Sequence, residues 1–191
     1  MKEFIQKFTG LFIISGTIII LDQFTKHYVR SNLPLGQVFH PELWISKYAR
    51  IVHWYNTGVT GGLFQNLNTI HIVLNTIIAA VLIFIYSRTP KDDKLTRLAL
   101  ALMLGGGVGN IIDRLLQGHV TDFLSVGNFP VFNIADACVS IGAALLFISL
   151  VNNYFIQRRE PLTEPETNEQ KDNQDSSSTH QSQQTSKETQ R

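Results

Sequence analysis

Long apolar runs alternate with polar connections along this chain. Four runs each approach the roughly 20 residues that a helix needs to cross a bilayer, at about residues 4–21, 69–86, 98–114 and 131–151. The pattern therefore predicts an all-α membrane protein with four transmembrane helices.

The first run resembles a secretory signal because Lys2 and Lys7 precede an apolar stretch. No small-residue cleavage site follows it, and the polar sequence that begins at Asp22 comes instead. We therefore expect the first run to be retained as a membrane helix.

Residues 27–68, between the first and second runs, are too long for a simple turn. Residues 49–56 alternate in a strand-like way and are rich in aromatic side chains. Trp44, Trp54 and Tyr55 suit the interface between water and lipid. We expect a small β-rich extracytoplasmic platform between helices 1 and 2.

The polar end of the chain hides how apolar the rest is. Overall, 44% of the residues are hydrophobic and 16% are charged, but the last thirty or so are almost wholly polar. Such a segment cannot bury enough apolar surface to fold. We therefore divide the chain into a four-helix domain, residues 1–157, and a disordered polar cytoplasmic tail, residues 158–191.

Charge and cysteine content restrict the partners. A net charge of +1 gives no electrostatic reason to expect nucleic acid. The single cysteine, Cys138, excludes an intramolecular disulfide and suggests no thiolate metal site.

Basic residues predict the orientation, because they concentrate on the cytoplasmic side of membrane proteins. With four spans, three basic clusters fall on one side: Lys2 and Lys7; Arg88, Lys91, Lys94 and Arg97; Arg158 and Arg159. Both termini are then cytoplasmic, and the loop 115–130 lies outside.

Two aspartates mark the start of the fourth run. Asp136 lies inside it, where an ionisable side chain is costly and is by default a sign of function. Asp122 lies in the short outer loop just before it, which returns to the same membrane surface. Two adjacent carboxylates can share one proton, as in aspartic proteases. A structural alternative for Asp136 is a buried ion pair with Arg114.

Other polar groups allow both structural and functional interpretations. Asp22 and Lys26 share a helix face. They form either an ion pair that anchors the helix or part of a functional site. Asn110, Asp113 and Arg114 line one side of the third run, either as a packed helix with an Asp–Arg bridge or as part of a site. Asn133 has the spacing to cap the fourth helix.

Other hydrolytic chemistries lack their residues. The chain has no Gly-x-Ser-x-Gly, no His-Glu-x-x-His and no phosphate-binding loop, and its six histidines are scattered. Two alternatives stay open on composition: a small transporter or proton-conducting protein, and a membrane scaffold that packs through its glycines.

Five blocks in order resemble lipoprotein signal peptidase (signal peptidase II), a family of bacterial aspartic endopeptidases. They are Asp22-Gln23-x-Thr25-Lys26, Asn56-x-Gly58, Gly106-x-x-x-Asn110-x-x-Asp113-Arg114, Val120-x-Asp122-Phe123 and Phe132-Asn133-x-Ala135-Asp136. The resemblance covers about residues 4–152. It departs locally at residues 59–64, and the interval between Asp122 and Asp136 is short for the family.

The resemblance implies that Asp122 and Asp136 are catalytic. The substrate it implies is a prolipoprotein carrying diacylglycerol, cleaved just before the lipidated cysteine. It further implies the bacterial inner membrane, an active site near the outer face, contact with membrane lipid, a monomer, and no metal or organic cofactor. The matching positions expected to bind substrate or support the site are Asp22, Lys26, Asn56, Gly58, Gly106, Asn110, Arg114, Asn133 and Ala135.

Overall fold

The computed structural model describes residues 2–39, 48–57 and 67–159. Within these ranges the chain forms four long helices and a three-stranded sheet. The elements are α1 Lys2–Asn32, β1 Val38–Phe39, β2 Ala49–Asn56, α2 Leu67–Arg88, α3 Lys94–Gln117, β3 Val120–Val126 and α4 Ile134–Arg159. The predicted four-helix fold is confirmed. Residues 158 and 159, which the sequence analysis assigns to the tail, belong to α4. Trp44 and residues 160–191 lie outside the described residues.

All four helices contain stretches long and apolar enough to cross a membrane: Lys7–Asn32, Asn68–Arg88, Lys94–Gln117 and Ile134–Phe155. Their outward faces carry exposed large apolar side chains such as Phe12, Phe84 and Phe147. Such surfaces are stable in lipid rather than in water. The chain is a multi-pass membrane protein.

Helix α1 continues 11 residues beyond the predicted end at residue 21. Asp22, Lys26 and Arg30 follow one another at intervals of four, so they lie on one face of the helix. Asp22 and Lys26 are fully buried, whereas Phe24 on another face is 67% exposed. The hydropathy falls at Asp22, but the helix continues because these charges face protein partners rather than lipid.

The sheet confirms the predicted platform, but its third strand comes from an unexpected place. The strands pair antiparallel in the order β1-β2-β3, and β3 lies between α3 and α4. The prediction that Asp122 lies in a loop is therefore wrong, since it lies in β3 opposite Trp54. Strand β2 supplies the backbone hydrogen bonds that a short outer loop would lack.

The turn from α3 into β3 depends on Gly118. Its φ of 76° is in the left-handed region, and its backbone N–H donates to the carbonyl of Arg114. This is a common way for a helix to end, because glycine adopts that conformation without steric cost. Strand β3 then begins two residues later and stays close to the end of the helix bundle.

Glycines bring α3 against both neighbouring helices. A Cβ on Gly105 would lie 3.0 Å from the Cα of Ser15 on α1, and one on Gly106 would contact the carbonyl oxygen of Ala135 on α4. Small residues permit such close backbone approach between membrane helices. The glycines of α3 therefore serve helix packing.

We expect Gly106→Ala to destabilise the protein by about 1–3 kcal/mol, because the added methyl group forces α3 and α4 apart. The melting temperature of the purified protein in detergent measures this effect. Gly107→Ala is the matched control, since a Cβ at Gly107 has no neighbouring atom within 4 Å. Equal melting temperatures for the two variants would contradict the packing role of Gly106.

The apolar core lies between α1, α2 and α3, towards the end of the bundle away from the sheet. It is built around Leu11, Leu82, Tyr86, Leu100 and Leu104. The guanidinium of Arg97 lies 4.0 Å from the ring centre of Tyr86 and donates to its hydroxyl. A compact unit covers Met1–Asn152, and a second unit, Asn153–Arg191, is described only at the end of α4.

Candidate active site

Asp122 lies on β3 with its side chain buried. Its two oxygens accept hydrogen bonds from the side-chain amides of Asn133, at 2.7 Å, and Asn56, at 2.9 Å. Burial, and to a smaller extent the negative charge of Asp136, raise the pKa of Asp122 to about 6, while the bond from Asn56 acts in the opposite direction. Asp122 is therefore a carboxyl group that gains or loses a proton near neutral pH.

Asp136 lies in the first turn of α4, where the helix dipole favours a negative charge. The amide of Asn110 donates to its carboxylate at 2.7 Å. Asn133 caps the helix: its side-chain oxygen accepts from the backbone N–H of Asp136 at 2.9 Å, and its own N–H points back to the Asp136 carboxylate at 3.4 Å. The predicted capping role of Asn133 is confirmed.

Two asparagines join the aspartates into one hydrogen-bond network. The Asn133 side-chain amide donates both to Asp122 and, at 3.3 Å, to the Asn110 side-chain oxygen. Asn110 in turn donates to Asp136. The structure thus brings together the two carboxylates that the sequence separates by 14 positions.

Lys26 supports this network from α1. Its ammonium group lies 2.8 Å from the Asp22 carboxylate and 3.4 Å from that of Asp113, and it donates to the Asn110 side-chain oxygen at 2.9 Å. Because Lys26 occupies that oxygen, the amide nitrogen of Asn110 is directed to Asp136. The predicted pairing of Asp22 with Lys26 is confirmed, but the pair is fully buried and connects to the site.

Asp22 also holds the start of α4. Its second carboxylate oxygen accepts the backbone N–H of Ala135 at 3.0 Å. The carboxylate lies against Gly109, where a Cβ would come within 2.7 Å of it. Ala135 and the neighbouring Gly106 thus contribute backbone and close packing to the site. Gly58 lies outside the described residues.

Asp113 forms its ion pairs with residues of α1. Within the described ranges, its carboxylate pairs with Lys26 and, at 3.2 Å, with Arg30, rather than with Arg114. It also accepts the backbone N–H of Thr121 at 2.9 Å, which ties α3 to β3. The structural alternative of an Asp–Arg bridge between Asp113 and Arg114 is therefore not observed.

Arg114 is half-buried, and its guanidinium donates to the backbone carbonyl of Asn110 at 3.4 Å. Asp136 is held by Asn110 and Asn133 instead of by an ion pair with Arg114. The structural alternative for Asp136 is thus not observed.

Arg30 was missed as a site residue by the sequence reasoning. It donates to Asp113 and to the Thr121 hydroxyl at 2.9 Å, so it joins α1 to both α3 and β3. Its spacing of four residues from Lys26 was the available signal. This spacing was not recognised, because the first span was predicted to end at residue 21.

The comparisons with known proteins agree with this geometry. The family model for signal peptidase (SPase) II matches residues 14–152. The chain belongs to the signal peptidase II family.

Relatives of this family share most of their length with the chain. The lipoprotein signal peptidase of Shouchella clausii is 37% identical over 73% of this chain and 91% of the relative. That of Dehalococcoides mccartyi strain BAV1 is 38% identical over 75% of this chain and 90% of the relative. A solved structure described as a bacterial membrane enzyme superposes with a TM-score of 0.69 at 27% identity, covering 82% of this chain and 93% of that one.

As a member of the signal peptidase II family, the chain is a membrane peptidase. The matched segment contains the whole polar network from Asp22 to Asp136. It ends before the polar tail, which starts near residue 158.

Proposed function

We propose that this protein is an aspartic endopeptidase that removes the signal peptide from diacylglyceryl-modified prolipoproteins. Cleavage falls just before the lipidated cysteine. The observation that carries the aspartic type is the linkage of Asp122 and Asp136 through Asn110 and Asn133. Membership of the signal peptidase II family supports the substrate.

The pair of aspartates shares one proton in the active form. Burial and the negative charge of Asp136 raise the pKa of Asp122, which favours a proton on the pair. The ionised carboxylate takes a proton from water as the water oxygen bonds to the scissile carbonyl carbon. The protonated carboxyl group hydrogen-bonds the carbonyl oxygen, and a proton passes to the nitrogen as the carbon–nitrogen bond breaks.

The remaining residues position this pair. Asn56, Asn110 and Asn133 orient the carboxylates, and Asp22 and Lys26 hold Asn110 and the start of α4. Arg114 is a candidate for binding a substrate carbonyl, because its fixed guanidinium has several donors and is only half-buried.

The site faces outward in the bacterial inner membrane. Four basic residues lie in the short link between α2 and α3 and in the helix ends that flank it, at the end of the bundle opposite the sheet: Arg88, Lys91, Lys94 and Arg97. Basic residues favour the cytoplasm, which places both termini inside and Asp122 at the outer surface. A substrate anchored by its signal peptide arrives at that surface, and a monomer is sufficient to bind it.

Cleavage by the purified protein in detergent tests the proposal. A synthetic lipobox peptide with a diacylglyceryl cysteine should be cut before that cysteine, whereas the peptide with a free cysteine should not. A transporter or a scaffold would leave both peptides intact. Cleavage at another bond would contradict the assigned substrate.

The pH dependence of cleavage should reveal the shared proton. Because the pKa of Asp122 is raised to about 6, loss of its proton above that pH leaves the pair without the proton that the proposed mechanism requires. We therefore expect kcat/KM to fall as the pH rises through this pKa. Asn56→Ala should move this fall to higher pH, since its hydrogen bond stabilises ionised Asp122.

The matched control for Asn56→Ala is Asn32→Ala, since the Asn32 side chain donates to the carbonyl of Tyr28, away from the aspartates. Its pH profile should coincide with that of the unaltered protein. A profile for Asn56→Ala that is unchanged or moved to lower pH would contradict the role of this hydrogen bond.

A further inference from the structure

A second feature of the site is an apolar cavity that adjoins Asp136. Its volume is about 410 Å³. One wall is formed by residues 129–132, and the other by Asp136, Ala137, Ser140 and Ile141 on α4. Apart from Asp136 and Ser140, the lining side chains are apolar.

The first wall is fixed relative to both aspartates. The backbone N–H of Phe132 donates to the carbonyl of Leu124 at 3.0 Å, and the Phe132 carbonyl accepts from Phe123 and Leu124. These bonds attach residues 129–132 to β3, the strand that carries Asp122. The cavity therefore keeps a constant position beside the carboxylate pair.

The cavity opens onto the lipid-facing side of α4. Phe129 is 76% exposed and Ile141 is 54% exposed at its rim. Further along α4, Ile148 and Phe147 are also exposed, at 47% and 68%. The apolar surface thus continues from the bilayer to a point beside Asp136, so a hydrocarbon chain can enter without crossing water.

We propose that this cavity binds an acyl chain of the diacylglyceryl group on the substrate's cysteine. The inference rests on the proposed function. The scissile bond directly precedes that cysteine, so the lipid is attached within one residue of the reacting carbonyl, about 4 Å along the backbone. A chain attached there reaches a cavity that has Asp136 in its wall. The mostly apolar lining, which continues along the exposed face of α4, favours an acyl chain as the occupant.

Two lipobox peptides test this assignment, one with a dipalmitoylglyceryl cysteine and one with a dibutyrylglyceryl cysteine. Their binding to the full-length protein in detergent is measured separately from their cleavage. Ile141→Trp fills the cavity and should weaken binding of the dipalmitoyl peptide by about tenfold or more, the effect of losing burial of two methylene groups. Binding of the dibutyryl peptide should change less.

Leu150→Trp is the matched control, since Leu150 is an exposed apolar residue of the same helix that lies nine residues from Ile141, on the opposite face. It should leave the binding of both peptides unaltered. If Ile141→Trp fails to fold, as judged by its melting temperature, Ile141→Ala removes part of the same wall. It should weaken binding of the dipalmitoyl peptide more than that of the dibutyryl peptide.

Equal losses for the two peptides would overturn the assignment and place a signal-peptide side chain in the cavity. Unchanged binding of both peptides to a folded variant would overturn it as well. The failure of this proposal can be distinguished from the failure of the proposed function. If the unaltered protein does not cleave the peptides, the proposed peptidase activity is wrong. The dependence of binding on acyl-chain length tests the assignment of the cavity.

Discussion

Asp122→Asn and Asp136→Asn should each reduce prolipoprotein cleavage by about 10³-fold or more. In the proposed mechanism, each substitution removes one of the two groups that exchange a proton with water and with the leaving amine, a contribution of about 10²–10⁴-fold for a single general acid or base. The neutral amide can still accept a hydrogen bond from Asn133 or Asn110, so the fold should persist. Initial rates with a diacylglyceryl peptide in detergent measure the effect.

The double variant should be no slower than the more impaired single variant, because the two groups act as a unit. Asp92→Asn is the matched control: Asp92 is an exposed aspartate in the link between α2 and α3. It should keep its cleavage rate and its melting temperature. Turnover within tenfold of the unaltered protein by either Asp122→Asn or Asp136→Asn would rule out the carboxylate pair as the catalytic group.

Lys26→Met should destabilise the folded protein by about 3–5 kcal/mol, the cost of leaving a buried charge without its partner. The ammonium group lies within 4.0 Å of the carboxylates of Asp22 and Asp113, and all three side chains are almost fully buried. Without Lys26, the Asn110 side-chain oxygen also loses the hydrogen bond from the ammonium group. The free energy of unfolding, measured in mixed micelles of increasing denaturing detergent, tests this prediction.

Lys91→Met provides the comparison, because Lys91 is exposed in the link between α2 and α3. It should change stability by less than about 0.5 kcal/mol, as surface substitutions usually do. Asp22→Asn combined with Lys26→Met should cost less than the sum of the single changes, since the pair is lost together. Additive effects, or a stable Lys26→Met protein, would show that the buried charges act independently.

The variants at the aspartates and those at Lys26 distinguish a loss of catalysis from a loss of structural support. The aspartates lie at the end of a chain of contacts that begins with Asp22 and Lys26 and passes through Asn110. A change at Lys26 should therefore affect stability and activity together, whereas a change at Asp136 should affect activity alone. Such a network explains why costly buried charges occur on α1, far from the aspartates in sequence.

The polar residues of the site were largely visible in the sequence. An ionisable group in a membrane-length apolar run is expensive, so Asp136 was conspicuous without any structure. The i, i+4 spacing gave the pairing of Asp22 with Lys26, and the i, i+3 spacing gave the cap formed by Asn133. These are local interactions, and the period of the helix determines them.

The partners of Asp113 and Arg30 could not be obtained in this way. Asp113 pairs with residues more than 80 positions away, and the adjacent Arg114 is not its partner. Spacing specifies which side chains share a helix face, but not which other helix that face meets. The close packing allowed by Gly105 and Gly109 against α1 decides that Asp113 meets α1.

The sequence by itself determined four membrane-spanning helices, a strand on the outer platform and the two aspartates, because hydropathy and helical period are properties of consecutive residues. Only the tertiary structure decided that Asp122 lies on a strand paired with β2 and that Asn110 and Asn133 connect it to Asp136. Backbone pairing between Trp54 and Asp122, 68 positions apart, and hydrogen bonds across helices depend on how the elements meet in space. The folded arrangement therefore joins two separate acids in one hydrogen-bond network.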